Sequence, residues 1–391
     1  MLNEKMLSLG KNRSKIRDLF EYGKVLKEKG ETVCDFTLGN PSVKTPEKVT
    51  QILIDGLEKA DVHAYTQAQG SKLSRQNIAN DLNKKGNAKF CADGVILTCG
   101  AAASLCGVFK AITCSNLDEI VVLAPYFPEY KVFIESAGAK QVTVGFTQDF
   151  SPDFSALEKA ISKNTKAIVI NNPNNPSGKV YDENDVLTLC KILNKKSAEI
   201  GRPIYLISDE PYREIVFGKT TLPFIPDFYK NTIICYSYSK SLSLPGERIG
   251  YVAIPNEICS FIDLYAGILG SLRAVGYVCA PSLFQYMIEN FDGNYSDFSI
   301  YENNLNNLIT TLTSLNFTCN EPKGAFYLMI KAPDGDGEKL SETAKELGLL
   351  IVPADSFGAK GWVRIATCVS EKTVQESKPL FEKLAKAYNL I

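Results

Sequence analysis

Residues 204–254 read IYLISDEPYREIVFGKTTLPFIPDFYKNTIICYSYSKSLSLPGERIGYVAI. Three short apolar runs stand out, at 204–207, 232–235 and 251–254. None alternates apolar with polar residues, so each predicts a strand covered on both faces. Polar text follows the first two at once: Ser208-Asp209-Glu210-Pro211-Tyr212 and Tyr236-Ser237-Tyr238-Ser239-Lys240. Similar runs recur upstream at 95–98, 120–123, 142–144 and 167–170, separated by helical patterns such as 154–161 and 183–200. Repeated β-α-β units of this kind predict an α/β fold, a mostly parallel sheet sandwiched by helices. Ligands of such sheets bind beyond the carboxyl ends of the strands, so the residues just after each run are the first candidates.

After about residue 285 the rhythm changes to a long helical stretch (295–315), strands near 326–330, 349–352 and 362–366, and a final helix. The chain therefore divides into an N-terminal arm that forms part of a small domain (1–45), a large domain (46–285) and a smaller α+β domain (286–391).

Composition excludes several functions. The 391 residues carry 43 Lys+Arg against 44 Asp+Glu, a formal charge of −1, without the basic footprint of a nucleic-acid binder. No apolar run reaches the roughly 18 residues of a membrane helix, and the start MLNEKMLSLGKNRSK has no apolar leader core. The 11 cysteines are odd in number and form no CxxC pair, so neither a metal site nor a disulfide framework is expected. A reduced, cytoplasmic protein is the expectation. The single His63 leaves little room for imidazole chemistry and reads as structural. Proton transfer would fall to Lys, Asp, Tyr or a cofactor.

Five strand ends carry unusual text, each open to a structural or a functional reading. Cys99-Gly100-Ala101-Ala102-Ala103-Ser104 is either a tight strand-to-helix turn or an anion cradle at a helix N-terminus. Ala124-Pro125-Tyr126-Phe127-Pro128-Glu129-Tyr130 offers core aromatics or a stacking wall. Asn171-Asn172-Pro173-Asn174-Asn175-Pro176-Ser177-Gly178 is a double turn dense in amide groups. Asp209, ending a buried run without a basic neighbour before it, needs a cationic partner unless it begins a surface turn. In the fifth end, Ser237 and Arg248 suit a phosphate and Lys240 suits a Schiff base with an aldehyde, although a basic loop near Pro245-Gly246 is the plainer reading.

One cofactor uses an anion cradle, an aromatic wall, a carboxylate, a tyrosine and a lysine together: pyridoxal 5′-phosphate, PLP. With these motifs in this order, from Ile16-Arg17 to Arg364, the chain resembles the class I/II aminotransferases, the PLP family with the aspartate-aminotransferase fold. The resemblance implies Lys240 as the PLP lysine and Asp209 as the partner of the pyridinium nitrogen. It implies Tyr212 and Asn175 at the phenolate oxygen, and Phe127 as the stacking ring. Gly100, Ala101, Ala102, Ser237 and Arg248 would hold the phosphate, with Tyr65 reaching it from a partner subunit. Gly39 would lie over the substrate, and Asn175 and Arg364 would bind its α-carboxylate.

The resemblance also implies ping-pong transfer of an amino group from an L-amino acid to a 2-oxo acid, by a homodimer with shared sites. Departures are Ala102, which lacks the polar side chain of some relatives, and Ser177, where Thr is commoner. A PLP-dependent carbon–sulfur β-lyase would use the same motifs, and Arg273 is either a distal-carboxylate arginine or a solvated helix residue. A PLP-binding regulator would carry a DNA-binding domain ahead of Gly39, which only about 35 residues precede here.

Overall fold

The strands of the computed structural model, which describes residues 2–11, 14–59 and 61–391, are, in chain order, β1 (Cys34–Asp35), β2 (Val95–Thr98), β3 (Glu119–Leu123), β4 (Lys140–Val144), β5 (Thr165–Asn171), β6 (Tyr205–Asp209), β7 (Thr232–Ser237), β8 (Gly250–Ala253), β9 (Tyr327–Lys331), β10 (Leu349–Leu350), β11 (Val352–Pro353) and β12 (Trp362–Ala366). A seven-stranded sheet takes the order β2-β8-β7-β6-β5-β3-β4. Only β8 runs against its neighbours. Each of the seven apolar runs between residues 95 and 254 falls in one of these strands to within one residue at its outer end.

Both faces are covered. Helices Ala101–Ile112 and Phe261–Ala274 pack with Ile96, Ile120, Val122, Ile207 and Ile233 on one side. Helix Glu183–Ile200 buries Val186, Leu189 and Leu193 against Val121, Ile168, Ile170 and Leu206 on the other. That helix has the bounds its sequence predicts because both ends are specified locally. Asp182 and Asp185 form a reciprocal cap at its start, and Gly201, at φ 78°, ends it.

A second, antiparallel sheet has the order β11-β12-β9. The strand expected over 349–352 is split, β10 pairing with β1 of the N-terminal segment and β11 with β12. Phe36 and Leu19 of that segment are buried in the clusters around this smaller sheet. The long helix begins at Ser299, four residues later than its pattern predicts, and ends at Ser314. The Ser296 amide is committed to the Ser241 carbonyl, and Asp297 accepts from the Ser299 amide at 2.9 Å, which sets the later start.

Register lines up the site. Asn171 of β5 pairs with Asp209 of β6, Asp209 with Cys235 of β7, and Ser237 with Gly250 of β8, which also faces Thr98 of β2.

Candidate active site

A single helical turn, Tyr238–Ser241, starts where β7 ends, and the Ser237 side chain caps it by accepting from the Ser239 amide. This turn carries Lys240, whose Nζ donates to the Gly39 carbonyl at 2.5 Å and sits 5.6 Å from the Phe326 ring centroid. Burial of the ammonium, with Arg364 and Arg248 adding to it, lowers the Lys240 pKa to about 8. A substantial share of the amine is therefore neutral and nucleophilic near physiological pH.

Asp209, the last residue of β6, is 4% exposed. Its Oδ2 accepts from the Tyr130 hydroxyl at 2.5 Å, whereas its buried Oδ1 has no partner. Burial raises its pKa to about 7; the Tyr130 hydrogen bond pulls it back and the Glu210 charge pushes it further. Glu210 itself is paired with buried Arg213, whose Nε donates to it at 2.5 Å. The cation missing from the text before Asp209 thus serves the neighbouring carboxylate.

Gly100 caps helix Ala101–Ile112 at φ 85° and ψ 172°, a region open essentially to glycine alone. A Cβ there would stand 2.9 Å from Arg248 Nη2. Arg248 donates to the Pro245 carbonyl at 2.9 Å and to the Cys99 carbonyl at 3.4 Å. Gly250, next to Ser237, is pressed so closely on Gly100 that a Cβ would meet the Gly100 Cα at 2.9 Å. Gly100, Ala101, Ala102, Ser237 and Arg248 therefore converge around the positive end of a helix, with the Ser237 hydroxyl 2.7 Å from that of Ser239.

In the asparagine-rich loop the four side chains divide between the turn itself and Arg364. Asn171 accepts from the Asn175 amide at 2.6 Å, Asn172 from the Tyr181 amide, and Asn174 bonds Pro125 and Ser177. These brace the turn and leave the Asn175 side chain to accept from Arg364 Nη1 at 3.1 Å. Arg364, on β12, also donates to the Thr37 carbonyl at 2.6 Å, and its buried Nε has no partner. Its guanidinium lies against two rings, 4.6 Å from the centroid of Tyr327 and 4.9 Å from that of Phe357.

Tyr212 is buried with its hydroxyl 3.0 Å from that of Tyr327. Phe127 is half-buried beyond β3, its ring edge-on to Tyr130 at 5.7 Å. Tyr65 is fully exposed, so within one chain it joins none of these groups. His63 is also exposed within one chain. Arg273 is exposed in the last turn of its helix. Sequence reasoning includes Tyr130 in the aromatic stretch after β3 without giving it a role of its own, and it misses Tyr327 and the Glu210–Arg213 pair.

A family model described as aminotransferase class I and II matches residues 31–377. The chain belongs to this family. Among its relatives, a probable aspartate/prephenate aminotransferase of Aquifex aeolicus is 31% identical over 378 residues, 90% of this chain and 91% of that one. An aspartate aminotransferase of Pyrococcus horikoshii is 29% identical over 388 residues, 95% and 94% of the two chains. The solved structure of an aminotransferase from Eubacterium rectale is 49% identical and has a TM-score of 0.96 over 100% of this chain and 99% of that one. The protein is thus an aminotransferase, an enzyme of a family that uses PLP, and the names of its relatives favour amino-group transfer over carbon–sulfur elimination.

The residues of this aminotransferase fit PLP on their own chemistry. A buried carboxylate oxygen lacks a partner, a lysine with lowered pKa stands on the helical turn that follows the adjacent strand, and a glycine cradle faces an arginine. Among the described residues no helix is long and apolar enough to cross a membrane.

Proposed function

We propose that this aminotransferase binds PLP through Lys240 and moves the amino group of an L-amino acid to a 2-oxo acid in two half-reactions. The observation that carries the reading is Asp209: a carboxylate 4% exposed, with one oxygen unpaired, is costly unless a cation reaches it. Bound here, PLP would supply the electron sink for the bond that breaks at the amino acid's α-carbon. Asp209 Oδ1 would hold the proton on the ring nitrogen. The donors of the helix N-terminus at Gly100–Ala102, with Ser237 and Arg248, would take the phosphate, and Phe127 and Tyr212 would flank the ring and its oxygen.

Arg364, oriented by Asn175 and two aromatic rings, would bind the substrate α-carboxylate through its Nε and a second N–H. Lys240 Nζ would then accept the α-proton and return it as general base and acid. The Gly39 carbonyl, already its hydrogen-bond partner, would hold the amine over the site. The relatives' names, aspartate and aspartate/prephenate aminotransferase, support aspartate or prephenate as one of the substrates.

The exposure of Tyr65 supports a homodimer in which this ring completes the partner's phosphate site. The unpaired cysteines suit a reducing cytoplasm. The β1–β10 pairing supports an arm at 1–45 that belongs with a small domain at 286–391, beside a cofactor domain at 46–285. The experiment is a screen of amino donors against 2-oxoglutarate and pyruvate with added PLP. Amino transfer is expected; pyruvate, ammonia and thiol from cystathionine without amino transfer would refute the reading.

A further inference from the structure

Tyr327 has none of the roles assigned above, yet three of the groups that do have one meet on it. Its hydroxyl lies 3.0 Å from the Tyr212 hydroxyl. Its ring carries the Arg364 guanidinium at 4.6 Å. The same hydroxyl approaches Gly39 so closely that a Cβ there would collide with it, and Gly39 provides the carbonyl that receives Lys240. Tyr327 is 3% exposed and comes from β9 of the small sheet, whereas Tyr212 follows β6 of the large one.

We propose that Tyr327 is a positioning residue that couples substrate-carboxylate capture at Arg364 to the hydrogen bond of Tyr212 toward the cofactor's ring oxygen, an inference that rests on the PLP reading above. Only one proton fits between the two hydroxyls. Once an acceptor faces Tyr212, its O–H turns to that acceptor and Tyr327 donates to the Tyr212 oxygen. Hydrogen bonds in such a chain polarise one another, so Tyr212 becomes the better donor. The ring of Tyr327 meanwhile fixes the plane of the guanidinium, which sets the angle at which a carboxylate is met. Gly39 has no side chain because this hydroxyl takes its place.

Two substitutions separate the roles. Tyr327→Phe keeps the ring on Arg364 and removes the donor; Tyr327→Leu removes both. The readouts are the PLP dissociation constant from titration of the apoprotein, the pH midpoint of the bound cofactor's visible absorbance, and KM for the amino acid. A donor to the ring oxygen favours the deprotonated form of the bound group, so Tyr327→Phe should raise the midpoint by about 0.4–1 unit and weaken PLP about threefold, with KM within about twofold of wild type. Tyr327→Leu should add a rise in KM of about 3- to 30-fold. Phe357→Leu, which removes the other ring beside the guanidinium, should raise KM without moving the midpoint. An unchanged midpoint and PLP affinity in Tyr327→Phe, or equal KM values in the Phe and Leu variants, would overturn the proposal. A wild-type protein that fails to bind PLP would instead remove the functional reading itself.

Discussion

Tyr130 donates its hydroxyl to Oδ2 of Asp209 at 2.5 Å and leaves Oδ1 of the same buried carboxylate without a partner. One oxygen is fixed and the other is held ready, an arrangement that orients the carboxylate before any cation arrives.

Asp209 therefore works against the apoprotein. Its folded pKa of about 7 lies above the ordinary 3.8, so the folded state holds a proton between these values that the unfolded chain has released. The stability this contributes is full below about pH 4 and is lost as pH rises through 7. Asp209→Asn should stabilise the apoprotein at pH 8 by on the order of 1–3 kcal/mol and flatten its stability between pH 4 and 7. The same change should weaken PLP and slow hydrogen exchange at the substrate α-carbon by about 100-fold or more. Denaturation of the apoprotein across pH, and isotope exchange with added PLP, check the two halves; equal exchange rates would remove Asp209 from the chemistry.

Lys240 titrates in the opposite sense. Its folded pKa of about 8 lies below the ordinary 10.5, so the folded apoprotein gains stability as pH rises from about 8 to 10.5. The rate at which the apoprotein takes up PLP should rise with a midpoint near pH 8, measured by stopped-flow absorbance. A midpoint near 10.5 would show that the amine is solvated rather than buried.

Arg364→Lys retains the charge but loses the planar fork that lies against the rings of Tyr327 and Phe357. KM for the amino acid should rise roughly 10- to 100-fold, with a smaller change in kcat, since one charge-assisted hydrogen bond is removed. Steady-state kinetics at saturating 2-oxo acid decide it.

Gly100→Ala forces a Cβ toward Arg248 at a backbone conformation that suits glycine. PLP affinity should fall by about tenfold or more, while affinity for pyridoxal, which lacks the phosphate, should stay near wild type. An equal loss for both ligands would place the damage elsewhere.

The fold is legible because strands buried on both faces read as unbroken apolar runs: β5, β6 and β7 declare themselves without any alignment. The strand ends are legible for a related reason, since Asp209 and Lys240 are polar residues where the apolar run demands an explanation. Tyr130 and Tyr327 are not. Each looks like an ordinary core aromatic, and what distinguishes it is a hydroxyl contact made 79 or 115 residues away. The division of labour among the four asparagines depends likewise on Arg364, 189 residues beyond Asn175. The helix that begins at Ser299 starts later than its pattern predicts because the Ser296–Ser241 contact outweighs local pattern.

The most direct measurement is reductive labelling of the PLP-loaded protein with borohydride, followed by peptide mapping. A pyridoxyl label on the peptide that contains Lys240, absent from Lys240→Ala together with amino transfer, is the result predicted here. A label on another lysine, or transamination retained by Lys240→Ala, would contradict it.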